Sequence, residues 1–352
     1  MNAFVRRSSL IGILCTSLVV AACQTPVVEP PPPPPAPLPS VALNRSVAEA
    51  AAVYMSYVNS SSALSASFSN GGEVRQSMLR AAAYEPSQLS RGMVAYAAIL
   101  ALQSPEFVNG VRTMAADPTN RDTLLRRIIS DPAYATQLPG AAEAAGLIAS
   151  QIQGDGNRMY AAGAAIKQTA YDIQRQRWSS QHVTDRDARL EQVRLLGLTP
   201  LSTDFSASAS LQQAALNGTG LNVTPARGSA PYTQAVVRGL ALAALASLGQ
   251  AGEDNRVQTE ALLNEPVSAD CLNFTRLMIL QCLAASRPHY EEIFCLGQHL
   301  MMDTAQCVID SAGSFTASAW PETPMLSAEQ PAIQPAGAAS GGPSDEAQTP
   351  NR

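Results

Sequence analysis

The chain has 352 residues, 14% of them charged, and a formal net charge of −5. An acidic balance argues against a nucleic-acid ligand and against a polybasic membrane-binding surface, and Lys167 as the one lysine among arginines reads as genomic composition. With three histidines and no G-x-S-x-G, H-E-x-x-H, P-loop or dinucleotide fingerprint, the sequence predicts no cofactor, no metal and a non-enzymatic protein.

Arg6 and Arg7 precede an apolar run, Ser8 to Val20, which the small residues Ala21 and Ala22 close. A positive start, a short apolar centre and small cleavage-site residues make residues 1–22 a secretory signal, too short to span a membrane. Val20-Ala21-Ala22-Cys23 resembles the lipobox of the bacterial lipoprotein class, with Val where Leu is commoner. The resemblance covers the signal alone. It implies cleavage before Cys23, diacylglycerol on the Cys23 thiol, and acylation (palmitate or a similar chain) of the new amino terminus. At about 0.8 kcal/mol per buried CH₂, two or three acyl chains hold a protein on its membrane almost permanently. Gln24 stands where an Asp would favour inner-membrane retention, which implies the outer membrane, on its periplasmic face or at the cell surface. Loss of Arg6 and Arg7 takes the formal net charge from −5 to −7.

Residues 23–43 read as a lipid-anchored linker. Pro30 to Pro35 are consecutive, and polyproline II rises about 3.1 Å per residue, so residues 24–40 reach roughly 50 Å from the membrane as a stiff tether.

From Asn44 to Gly313 the composition is rich in Ala, Leu, Gln, Arg and Glu and poor in aromatics, which predicts an all-α, multi-helix domain. Residues 44–197 form a first helical lobe. Its opening helix carries Val47, Ala50, Ala51, Tyr54, Tyr57 and Val58 on one face, with Ser46 as N-cap and Glu49 completing a capping box. Residues 87–103 and 232–250 are apolar nearly all round and read as central, buried helices. Asp-Pro pairs at 117–118 and 131–132 bracket a compact helix, and 160–178 reads as a long helix turning amphipathic. Residues 198–230, dense in Ser, Thr, Gly and Pro, form a connecting loop with a short helix at 208–217. A second lobe occupies 231–313. Arg91-Gly92-Met93 and Arg238-Gly239-Leu240 open the two buried helices alike; an internal duplication and chance similarity in Ala-rich helices both account for that.

Cys15 lies in the signal and Cys23 carries the lipid, leaving Cys271, Cys282, Cys295 and Cys307. Outside the inner membrane an even, clustered set predicts two disulfides. Cys271 and Cys282 are eleven residues apart on one helix, hence on one face but about 16 Å apart, too far to bond. A turn at Ser286-Arg287-Pro288 and a second helix from His289 fold Cys282 onto Cys295 and Cys271 onto Cys307, a stapled C-terminal hairpin. Twelve residues turn Cys307 about 120° from Cys295, which counts against the nested pairing unless the second helix is broken or rewound, and Gly297 is the residue placed to do either. A zinc site using these thiolates with His289 and His299 is the rival, but it lacks C-x₂₋₄-C spacing.

His182 reads as an exposed helix-start residue, Glu291 and Glu292 as first-turn acids, and Asp185, Arg186, Asp187, Glu191 and Arg194 as helix-surface charges. Residues 314–352, rich in Pro, Ala, Gly, Ser and acid, read as a disordered tail, with Trp320 and Met325 as a short docking motif at most. The whole predicts a lipid-anchored envelope structural or adaptor protein that binds another envelope component, an envelope protein being one candidate, and no nucleic acid. An envelope enzyme using Glu or Asp on cell-wall glycan or peptide, and a hydrophobic-ligand carrier, are the alternatives.

Overall fold

A computed structural model describes residues 38–313 and 315–316, and among these the protein is all-α. The signal 1–22, Cys23, the proline run and the tail from residue 317 lie outside the described residues. In chain order the helices are α1 Arg45–Ser62, α2 Gly71–Ala82, α3 Pro86–Ala101, α4 Pro105–Met114, α5 Pro118–Ser130, α6 Ala141–Ile173 and α7 Arg186–Leu196. They continue with α8 Phe205–Asn217, α9 Gln234–Ser247, α10 Arg256–Leu263, α11 Pro266–Ala285, α12 His289–Cys295 and α13 Asp303–Ala312. A π-helical stretch, Leu296–Met302, joins α12 to α13 without a break. Two short strands, β1 Arg227–Gly228 and β2 Phe315–Thr316, pair antiparallel beside α6. Among the described residues no helix is long and apolar enough to cross a membrane.

Caps set the helix starts. Pro opens α3, α4, α5 and α11, and the side chains of Glu85, Ser104, Asp117 and Glu265 just before it accept the free amides. At α1 the cap is Asn44, and this corrects the reading of Ser46: the Asn44 carboxamide accepts the Val47 amide at 3.2 Å and donates to Thr259 and the Ala251 carbonyl. An oxygen buried against a second element outcompetes a neighbouring serine, and Ser46 turns instead to Asn44 and Glu260.

The core centres on α3 and α9, which pack on each other and bury almost every side chain from Met93 to Ala101 and from Leu240 to Ser247. Small residues let them approach: a Cβ on Gly239 would lie 2.6 Å from the Ala97 Cβ, and one on Gly92 2.6 Å from the Ala50 carbonyl oxygen of α1. Residues 38–313 form one compact unit, so the connection 198–230 separates two stretches of sequence that share a core. Its own helix, α8, covers α1.

Disulfides join Cys271 to Cys307 and Cys282 to Cys295, each with Cα atoms 5.8 Å apart, and nest across the α11–α13 hairpin. Two bonds in that domain mark an oxidising, extracytoplasmic compartment. The π stretch makes the nesting possible. Eleven residues on α11 return to about 20° of the starting face, whereas twelve on a regular helix overshoot by about 120°. A π turn holds one extra residue, so the twelve-residue step from Cys295 to Cys307 behaves like the eleven-residue step it must match. Gly297 lies in that stretch, and a Cβ there would sit 2.5 Å from the Lys167 amide nitrogen of α6. Gly163 answers it from α6, 2.6 Å from the Met301 Cβ by the same construction. At the rewound turn, therefore, glycines on both sides let the hairpin and α6 backbones approach closely.

Candidate functional site

Polar anchors tie the hairpin to the rest of the fold. Arg276, buried on α11, donates to the Ala82 carbonyl at 3.0 Å and to the Val193 carbonyl, the C-terminal turns of α2 and α7, and its guanidinium lies 5.2 Å from the Tyr84 ring centre. Arg189 of α7 meets Glu292 of α12 at 2.7 Å, with side chains only 10% and 3% exposed, and reaches Asp185 at 2.8 Å. Burial holds the Glu292 carboxyl above its ordinary range against the pull of Arg189.

With the hairpin fixed in this way, the end of α6, the end of α11 and α12 enclose a groove of about 430 Å³. Three aromatic side chains furnish it: Tyr171 from α6, and Tyr290 and Phe294 from α12. Tyr171 and Phe294 meet edge to face with ring centres 6.1 Å apart, and Tyr171 stays 49% exposed. Cys282 and Cys295, joined by their disulfide, line the groove together with Ala170, and Gln174, Ser286 and Glu291 supply polar groups. Lys167 flanks the groove, its ammonium 5.4 Å from the Phe294 ring centre and donating to Gln298 at 2.7 Å. A volume of this order suits a short peptide segment or a small ligand.

The other residues singled out in the sequence fall elsewhere. His182 is exposed and its backbone bridges Pro288; Glu191 and Arg194 form an exposed pair at 2.7 Å. Asp185 binds Arg75 and Arg189, which leaves its carboxyl below the usual carboxylate range although burial opposes this. His289 lies under Trp178 and over Gly71, its Nδ1 buried, without a hydrogen-bond partner and 3.6 Å from Glu292. Burial, then the Arg189 charge, lowers its pKa, with Asp185 opposing. His299 bonds Asp303 at 2.7 Å. All four hairpin sulfurs are in disulfides, so none is a thiolate free for zinc. Among the described residues no group of three or more His, Cys, Asp or Glu side chains could hold a metal ion.

Two features escape the sequence reading. The groove aromatics come from elements more than a hundred residues apart. The second is a buried cluster in α6: Asp155, fully enclosed, accepts from Tyr54 at 3.2 Å and Arg158 at 2.8 Å, and burial raises its pKa. No family model matches the chain, and neither a curated protein nor a solved structure matches it.

Proposed function

We propose that the chain is a lipid-anchored envelope adaptor, held through Cys23 on an outer membrane, whose aromatic groove receives an extended, proline-bearing segment of another envelope protein. The observation that carries this is the half-open row of Tyr171, Tyr290 and Phe294 across α6 and α12. Aromatic rings at such spacing grip the flat faces of proline and aliphatic side chains, and tyrosine hydroxyls and amides meet the free carbonyls of a polyproline II strand. The two disulfides support an extracytoplasmic site of action. The proline run before Leu38 supplies the distance from the membrane at which such a groove meets a partner.

The test is in-cell photo-crosslinking from a benzoylphenylalanine at position 171. A discrete envelope partner whose crosslinked peptide contains proline, and which Phe294→Ala abolishes, is expected. Crosslinks that persist in Phe294→Ala, or no envelope partner at all, overturn the reading. The anchor is tested separately: Cys23→Ser should abolish lipid labelling and block signal removal.

A further inference from the structure

We infer that the groove has an occupant within the chain itself: the tail segment Glu329–Pro335, "EQPAIQP", which lies outside the described residues. This rests on the docking reading above and adds to it that the site is held by an internal competitor, which a partner must displace.

The first argument is where the described chain ends. Thr316 of β2 pairs with Arg227 of β1, and the residues beside β1 lie against Gly146 near the start of α6. The tail therefore leaves the fold alongside the helix whose far end builds the groove. From Gly146 to Tyr171 is 25 residues of α6, about 38 Å at 1.5 Å per residue.

Reach then selects among the apolar residues of the tail. Trp320 follows Thr316 by four residues and Met325 by nine, spanning at most about 14 and 32 Å fully extended. Both fall short. Pro331 to Pro335 follow by 15 to 19 residues, or about 46 to 59 Å as polyproline II, enough to arrive with slack. That segment presents Ile333 between two prolines, the chemistry the aromatic row accepts.

Charge fixes the same register. Lys167 sits four residues before Tyr171, about 6 Å nearer the side from which the tail arrives. Glu329 precedes Pro331 by two residues, about 6 Å in polyproline II. With Pro331 at Tyr171, the Glu329 carboxylate meets the chain's one lysine, while Glu291 in the groove accepts the Arg287 amide at 2.7 Å.

The experiment places benzoylphenylalanine at position 333, and separately at position 320, in the full mature chain, irradiates the dilute protein, and maps the crosslinks by mass spectrometry. Mixing isotopically labelled with unlabelled chains separates links within a chain from links between chains. Position 333 should link to the peptides bearing Tyr171, Tyr290 or Phe294 within one chain, and position 320 should not. Lys167→Glu should reduce the yield several-fold, and Glu329→Lys in the same chain should restore it. Links from 333 that are absent, that fall elsewhere or that join two chains overturn the inference, as does an efficient link from 320 to the groove. Adding a synthetic EQPAIQP peptide to the tail-intact protein keeps the two readings apart. If it links to Tyr171 while residue 333 does not, the groove binds such peptides but the chain does not fill it itself. If neither links, the docking reading falls as well.

Discussion

The α3–α9 centre and the α11–α13 hairpin solve the same packing problem by different means. In the centre, alanines and the glycines at 92 and 239 bring helix backbones together, and nearly every side chain is buried. Cohesion there is close contact spread over many small groups. The hairpin also packs apolar side chains on α6, Leu296, Leu300 and Val308 among them, and adds two disulfides, the Arg276 hydrogen bonds to α2 and α7, and the Arg189–Glu292 pair. A backbone fixed by covalent and polar anchors can leave aromatic side chains half out of the core. That is the physical reason the open groove lies in the hairpin and not beside α3 or α9.

Breaking the staples should give the largest effect. In the chain-entropy account, closing loops with sequence separations of 36 and 13 contributes about 4 and 3 kcal/mol respectively. Replacing Cys271 and Cys307 by Ser should lower the folding free energy by about 4 kcal/mol, read from denaturant midpoints with the slope checked for constancy. A loss below about 1 kcal/mol would show that the polar anchors suffice without it. Next, Gly239→Val drives side-chain atoms into Ala97 and should cost about 3 kcal/mol, equally in the oxidised and the disulfide-free protein. A penalty that vanishes on reduction would mean the two regions are not independent. Arg276→Met removes the guanidinium from the Tyr84 ring and strands two helix-end carbonyls, for about 2 kcal/mol. Tyr171→Ala, at an exposed side chain, should move stability by no more than about 0.5 kcal/mol while removing groove crosslinks.

The same contrast explains what the sequence discloses. Compositional and periodic signals mark α3 and α9, because burial on all sides needs apolar residues on all sides. Cysteine spacing and Pro288 announce the hairpin, whereas the one-residue mismatch between Cys295 and Cys307 reads in the sequence as an obstacle, and only the structure shows the π stretch that removes it. The first half of α6 is hidden: Gly154-Asp155-Gly156-Asn157 carries turn chemistry, yet it lies within a 33-residue helix. Gly156 is there because a Cβ would come 2.6 Å from Ile309 Cγ1, and Asp155 because Tyr54 and Arg158 satisfy it. Those reasons belong to residues far away in the chain, as do the partners of Tyr171 in the groove. Local pattern carries neither.

The smallest predicted effect concerns protons, and it sets His289 apart by sign from Asp155 and from its own neighbour Glu292. His289 anchors the start of α12, and its folded pKa lies below the ordinary value of 6.5 because burial, then the Arg189 charge, disfavours the imidazolium; Asp185 opposes this. The folded state therefore takes up the proton less readily than the unfolded chain. Its contribution is present above about pH 6.5 and is lost as pH falls through the lower, folded value. Asp155 beneath the centre behaves oppositely, since burial raises its folded pKa above 3.8: its contribution is present below that pH and is lost as pH rises through the folded value. Glu292, raised by burial from 4.5 and 3.6 Å from His289, works in the same direction as Asp155. His289→Gln should thus flatten the loss of stability between pH 7 and pH 5, and Asp155→Asn should make the acid side steeper. Urea midpoints across that range decide it. Equal slopes for wild type and His289→Gln would mean that the imidazole finds in the folded protein a partner as good as water, and that the hairpin's buried nitrogen is not the acid-sensitive element of this fold.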